Sequence, residues 1–127
     1  VIDEAPEYIK RLRERGYKIY IISGRDNGEY SNPYKMTKDW LEKYNIQNID
    51  VLKVGHHGSK TSSSKSFIDE ITPKYSTISV GKNNRYGHPN DSVLETLEDS
   101  KIYRTDQDGS VLIKLNKNGY KIRICNP

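Results

Sequence analysis

The chain has 127 residues, 33% hydrophobic and 30% charged, with 21 basic against 17 acidic side chains. That suffices for one domain with a small core and a densely charged surface, and is too little for two independent ones. It excludes a membrane-spanning helix, since no apolar run approaches the roughly 18 residues required, and it excludes a disulfide framework or CxxC zinc site, since Cys125 is the one cysteine.

Residues 5–15 read as a short amphipathic helix, with Pro6 in its first turn, Ile9 and Leu12 on one face and Gly16 ending it. Residues 17–22 are β-branched and aromatic and read as a core strand, which runs out into a loop over 23–28. Thr37 caps a helix through about residue 44 that buries Trp40 and Leu41. Residues 49–54 form the next strand, and the loop Gly55-His56-His57-Gly58-Ser59 leaves it directly. A helix over 64–71 packs Phe67, Ile68 and Ile71, with Pro73 beyond its end. Residues 75–80 make a third strand, followed by a loop over 81–89 and a helix that Ser92 caps, through about residue 98. The chain closes with a strand at 101–103 and a hairpin over 110–115 and 120–124. Asn118-Gly119 between them signals a type I′ turn. Alternating helices and strands before a β-rich tail predict an α/β fold with the early strands parallel. Nothing in the chain reads as a signal peptide, and it reads as soluble.

In open α/β sheets, ligands collect where strands run out into loops at their carboxyl ends. Three such exits stand out: 23–28, 55–59 and 81–89. All three histidines, His56, His57 and His88, fall in two of them. One of His56 and His57, together with His88, predicts a contribution to a zinc- or manganese-type site, because neutral imidazole is the commonest ligand for such ions. Adjacent side chains of an extended segment point to opposite faces, so one histidine of the pair coordinates while the other orients it or contacts substrate. The alternative is a polar loop whose histidines hydrogen-bond to backbone. A catalytic zinc keeps three protein ligands, and the chain contains no HxHxDH cluster to complete the set. Ser59, Lys60 and Ser62 can donate hydrogen bonds to a phosphate, and Arg85 can add a charge-assisted one. Lys53, Lys60, Lys65, Lys82 and Arg85 bracket the histidines and suit a polyanionic partner.

The stretch Asp50-Val-Leu-Lys-Val-Gly-His-His-Gly-Ser-Lys-Thr-Ser-Ser-Ser64 closely resembles ComEC-type late competence proteins. So do Pro73-Lys74-Tyr75, Ile78-Ser-Val-Gly-Lys-Asn-Asn-Arg-Tyr-Gly-His-Pro89 and Tyr103-Arg-Thr-Asp-Gln-Asp-Gly109. These are bacterial DNA-uptake channels that carry a metallo-β-lactamase-fold domain, and the resemblance is to the C-terminal half of that domain, from about residue 41 to the end. It implies a partial metallo-β-lactamase-like sheet with flanking helices and a C-terminal hairpin. It also implies metal-dependent hydrolysis of DNA, held as a single strand or through backbone contacts, at a two-metal zinc or manganese site on the extracytoplasmic face of the membrane. His56 and His57 would fall in the metal centre, and His57 and His88 would serve catalysis. Asp26 would be both ligand and catalytic carboxylate, because Ser23-Gly24-Arg25-Asp26 is similar to the family's strand ending in Thr-Gly-Asp. The family's HxHxDH motif lies upstream of the matched stretch, so the site would be incomplete. A non-catalytic nucleic-acid-binding or structural fragment is the alternative.

Residues 5–41 are similar instead to the second motif of HAD-superfamily phosphatases, in which a strand-end Ser binds the substrate phosphate. This resemblance implies that role for Ser23, with magnesium as cofactor, although the DxDxT nucleophile motif of that family is absent. The whole chain then reads as a single domain over 1–127. Its N-terminal helix–strand–helix segment, residues 1–40, would have a separate origin from residues 41–127.

Overall fold

The computed structural model describes residues 48–116 and 118–125, and before them residues 11, 14–16, 35, 39, 42 and 43. Arg11 and Glu14 are helical, as are Lys35, Asp39, Glu42 and Lys43. The expected strand over 17–22, the loop over 23–28, and Thr37, Trp40 and Leu41 lie outside the described residues.

Three short strands form a parallel sheet in the order β1 (Val51–Lys53), β2 (Tyr75–Ile78), β3 (Lys101–Arg104). Leu52 stands beside Ser76 and Ser76 beside Ile102, so the period-two alternation of all three strands falls in phase. One face carries Leu52, Ser76, Ile78 and Ile102. Against it pack helices α1 (Lys65–Ile71), through Ile68 and Ile71, and α2 (Asp91–Thr96), through Val93. Leu97, just past α2, and Ile49, Val54 and Val80 complete this core. Inside it the Ser76 hydroxyl would be an unsatisfied polar group, but it meets the Ser100 hydroxyl at 2.7 Å.

The other sheet face presents Tyr75 and Tyr103, whose rings stack 6.2 Å apart. Beyond β3 a single helical turn, α3 (Thr105–Asp108), leads into the antiparallel hairpin β4 (Ser110–Asn116) and β5 (Gly119–Cys125). The expected α/β class with parallel early strands and a terminal hairpin is what the chain adopts.

Several boundaries differ from expectation. The strand expected over 49–54 is confined to β1, although Val54 N–H still donates to the Thr77 carbonyl at 2.9 Å. β2 ends at Ile78 because the Thr105 hydroxyl takes both backbone groups of Val80, donating to its carbonyl and accepting from its N–H at 2.8 Å each. Asn90, not Ser92, caps α2: its side-chain oxygen accepts from the Ser92 N–H and hydroxyl at 3.2 and 2.7 Å. In the hairpin Asn116 pairs with Gly119, so Gly119 already belongs to β5 and the turn is not centred on Asn118-Gly119. Asn116 favours this register by accepting from the Asn118 N–H at 2.8 Å.

Candidate functional site

Because β1, β2 and β3 are parallel, their carboxyl ends and the loops leaving them lie at one end of the sheet. The first exit is the turn Gly55–Gly58. It is not extended: His56 (φ 43°, ψ 42°) and His57 (φ 57°, ψ 21°) are both left-handed. For residues with a Cβ that conformation costs about 1–2 kcal/mol each, and strain of this kind collects at functional sites. The expectation that an extended pair points its rings to opposite faces is therefore corrected. The rings of His56 and His57 stand 6.4 Å apart at 63°, and those of His56 and His88 5.9 Å apart at 68°.

His57 Nδ1 lies 2.6 Å from the Ser79 carbonyl oxygen. A carbonyl only accepts, so in the neutral ring Nδ1 carries the proton and Nε2 keeps its lone pair. That is the tautomer of a ligand or a base. His88 is half-buried, and its Nδ1 is fully buried with no hydrogen-bond partner among the described residues. Its loop is held by Asn84, whose side-chain oxygen accepts from the His88 N–H (2.9 Å). The Asn84 amide nitrogen donates to the carbonyls of His88 (2.7 Å) and Gly81 (3.2 Å). The two histidine loops touch where the Gly58 carbonyl accepts from the Asn90 N–H at 2.9 Å.

The remaining predicted residues fall around this cluster or outside the described region. Ser59 continues the histidine turn, its N–H donating to the His56 carbonyl at 2.9 Å, and its hydroxyl is 3.5 Å from that of Thr61. Lys53, Lys60, Lys82 and Arg85 are exposed or partly so and, among the described residues, take part in no ion pair. Lys65 does not belong with them: its ammonium is engaged by Asp69 at 2.7 Å, one turn along α1. Ser23 and Asp26 lie outside the described residues, and so does the test of either role.

At the third exit Arg104 donates to both oxygens of Asp106, at 3.0 and 2.6 Å. These bonds hold the Asp106 carboxyl below its usual range and raise the guanidinium further. The pair satisfies itself and leaves no charge for a ligand. Sequence reasoning missed Asn84, Thr105 and Ser79, which position the histidine loops. Only Asn84 carried a readable signal, an Asx residue in a glycine-flanked loop.

As donors for a metal the histidines fit in kind: neutral imidazoles, one with its tautomer fixed by backbone and one with a bare buried nitrogen. They do not make a full set, since no group of three or more His, Cys, Asp or Glu placed to hold an ion occurs among the described residues.

The architecture is thus an α/β sheet with a histidine cluster at its carboxyl edge and, in the same loops, cations that form no ion pair among the described residues. No family model and no solved structure matches the chain. Among curated proteins it is 53% identical over 64 residues to ComE operon protein 3 of Bacillus subtilis (strain 168), covering 49% of this chain. It is 40% identical over 73 residues to competence protein ComA of Neisseria gonorrhoeae, covering 56% of this chain. It is 38% identical over 107 residues to Recombination protein 2 of Haemophilus influenzae, covering 83% of this chain. The chain spans only 8%, 11% and 14% of the length of these relatives. Together they establish a relation to competence proteins. The third match is longer than residues 41–127 and so reaches into the N-terminal forty, which the resemblance to competence proteins had left out.

Proposed function

We propose that the chain forms one wall of a metal-dependent phosphodiesterase site acting on DNA, in a metallo-β-lactamase-type domain that serves DNA uptake. One observation carries this reading: His56, His57 and His88 converge from two neighbouring parallel strand ends, with His57 fixed in the tautomer that leaves Nε2 bare. His57 Nε2 and His88 Nδ1, which has no hydrogen-bond partner among the described residues, are the nitrogens that would hold zinc or manganese, with the His56 ring in contact with both other rings. Asp26, outside the described residues, is the carboxylate this reading adds. A bound divalent ion supplies an acidified water and neutralises phosphate charge. The chain's own groups do the positioning. Ser59 offers a hydroxyl donor, while Lys60 and Arg85 hold the phosphate backbone by charge. The relation to competence proteins supports DNA as the substrate of this reading.

Elemental analysis beside a nuclease assay tests it. Stoichiometric zinc or manganese, lost in His57→Ala and His88→Ala, is the expected result. An ion retained in full by the double variant would sink the proposal. A second reading, a DNA-binding wall that does not cleave, is favoured by the absence of a three-ligand group among the described residues. Salt-sensitive DNA binding with neither metal nor cleavage would select it.

A further inference from the structure

The loop between β2 and α2 carries a feature that the histidine chemistry leaves unused. Tyr86 is 76% exposed, and nothing in the core requires it. A large aromatic ring held in water forgoes the burial that ordinarily stabilises it. Its ring contact is with His88, stacked at 6.0 Å and 24°, so the ring lies at the mouth of the histidine cluster with most of its surface open. The backbone beneath it is fixed by the three hydrogen bonds of the Asn84 side chain to Gly81 and His88, which limits the ordering that binding would require. Its neighbour Arg85, and Lys82 on the same loop, are exposed and unpaired among the described residues.

A rigid, open π-face flanked by free cations is the arrangement that holds an unpaired base by stacking while cations track its phosphates. Bases within a duplex already cover one another's faces and cannot reach such a ring. We infer that Tyr86 is a base-stacking residue that makes the histidine site selective for single-stranded over duplex nucleic acid. The inference rests on the nucleic-acid part of the proposed function and goes beyond it by naming the strand form and the residue that selects it.

Fluorescence anisotropy with a labelled oligothymidylate and a labelled duplex of equal length tests it on the wild-type chain, Tyr86→Ala and Tyr86→Phe. Tyr86→Ala is expected to weaken oligothymidylate binding roughly tenfold, within the usual range for one stacked base. Tyr86→Phe should keep wild-type affinity because it keeps the ring, and duplex binding should not change. Unaltered oligothymidylate binding by Tyr86→Ala, or an equal loss with the duplex, overturns the assignment while leaving the histidine site's own reading intact. A wild-type chain that binds neither oligonucleotide removes the nucleic-acid reading, and this inference with it.

Discussion

At Gly58 the two histidine loops are in direct contact. A Cβ there would lie 2.6 Å from Pro89 Cβ and 3.1 Å from Pro89 Cα, and neither atom is the end of a flexible side chain that can swing aside. The residue also has φ +78°, which penalises any L side chain. Gly87 has a similar φ, +66°, yet a Cβ there would meet nothing within 4 Å. The pair separates conformation from contact. Gly87→Ala should cost about 1 kcal/mol from conformation alone. Gly58→Ala should cost about 3 kcal/mol, since overpacking adds its own contribution of roughly 1–3 kcal/mol. Urea unfolding of both variants checks this, and equal losses would show that the contact with Pro89 carries no weight.

Between elements, the hairpin meets the parallel sheet through Tyr120 on β5. Its ring stands edge-on to Tyr75 at 5.9 Å and 83°, with its hydroxyl beside the Asp50 carboxylate. Partial burial first, then the hydrogen bond to Asp50 and its negative charge, push this phenol from 10.0 up to about 12. An unfolded tyrosine releases its proton near pH 10, whereas the folded one keeps it to about pH 12. The stability from this docking is therefore complete below about pH 10 and is lost as pH rises toward 12. In an alkaline titration followed by circular dichroism, Tyr120→Phe should fall less steeply than wild type across that window; identical slopes would refute the assignment. Which element ends were legible follows the same division between local and distant causes. Ser64 caps α1 by accepting from the Phe67 N–H at 3.3 Å, a local arrangement that starts the helix within one residue of where it was expected. The end of β2 was not legible, because Thr105, 25 residues away, decides it. The left-handed histidine turn was equally hidden. Gly55 and Gly58 signalled an unusual backbone, but nothing local said that both histidines would share it.

For the molecule as a whole, the parallel order of the strands was readable from the alternation of helix and strand, and with it the placing of both histidine loops at one edge. The ring contacts within that cluster depend on backbone angles and on Asn84, so the sequence could name the neighbourhood but not the geometry. Charge is the other property that acts at this scale. A net charge of +4 is modest, and its effect depends on where the unpaired cations sit. Lys60, Lys82 and Arg85 flank the histidines without ion pairs among the described residues, whereas Lys65 is tied to Asp69. If the rim cations neutralise phosphates, each released counterion contributes to the salt dependence of binding. The triple replacement Lys60→Ala, Lys82→Ala, Arg85→Ala should then flatten the slope of log affinity against log salt for oligothymidylate by about 2, at about 0.7 per phosphate contact. Lys65→Ala should leave that slope within error of wild type, because its charge is already balanced. A triple variant with the wild-type slope would place the nucleic acid on another face of the molecule, and a loss shared equally by Lys65→Ala would mean that only overall charge matters.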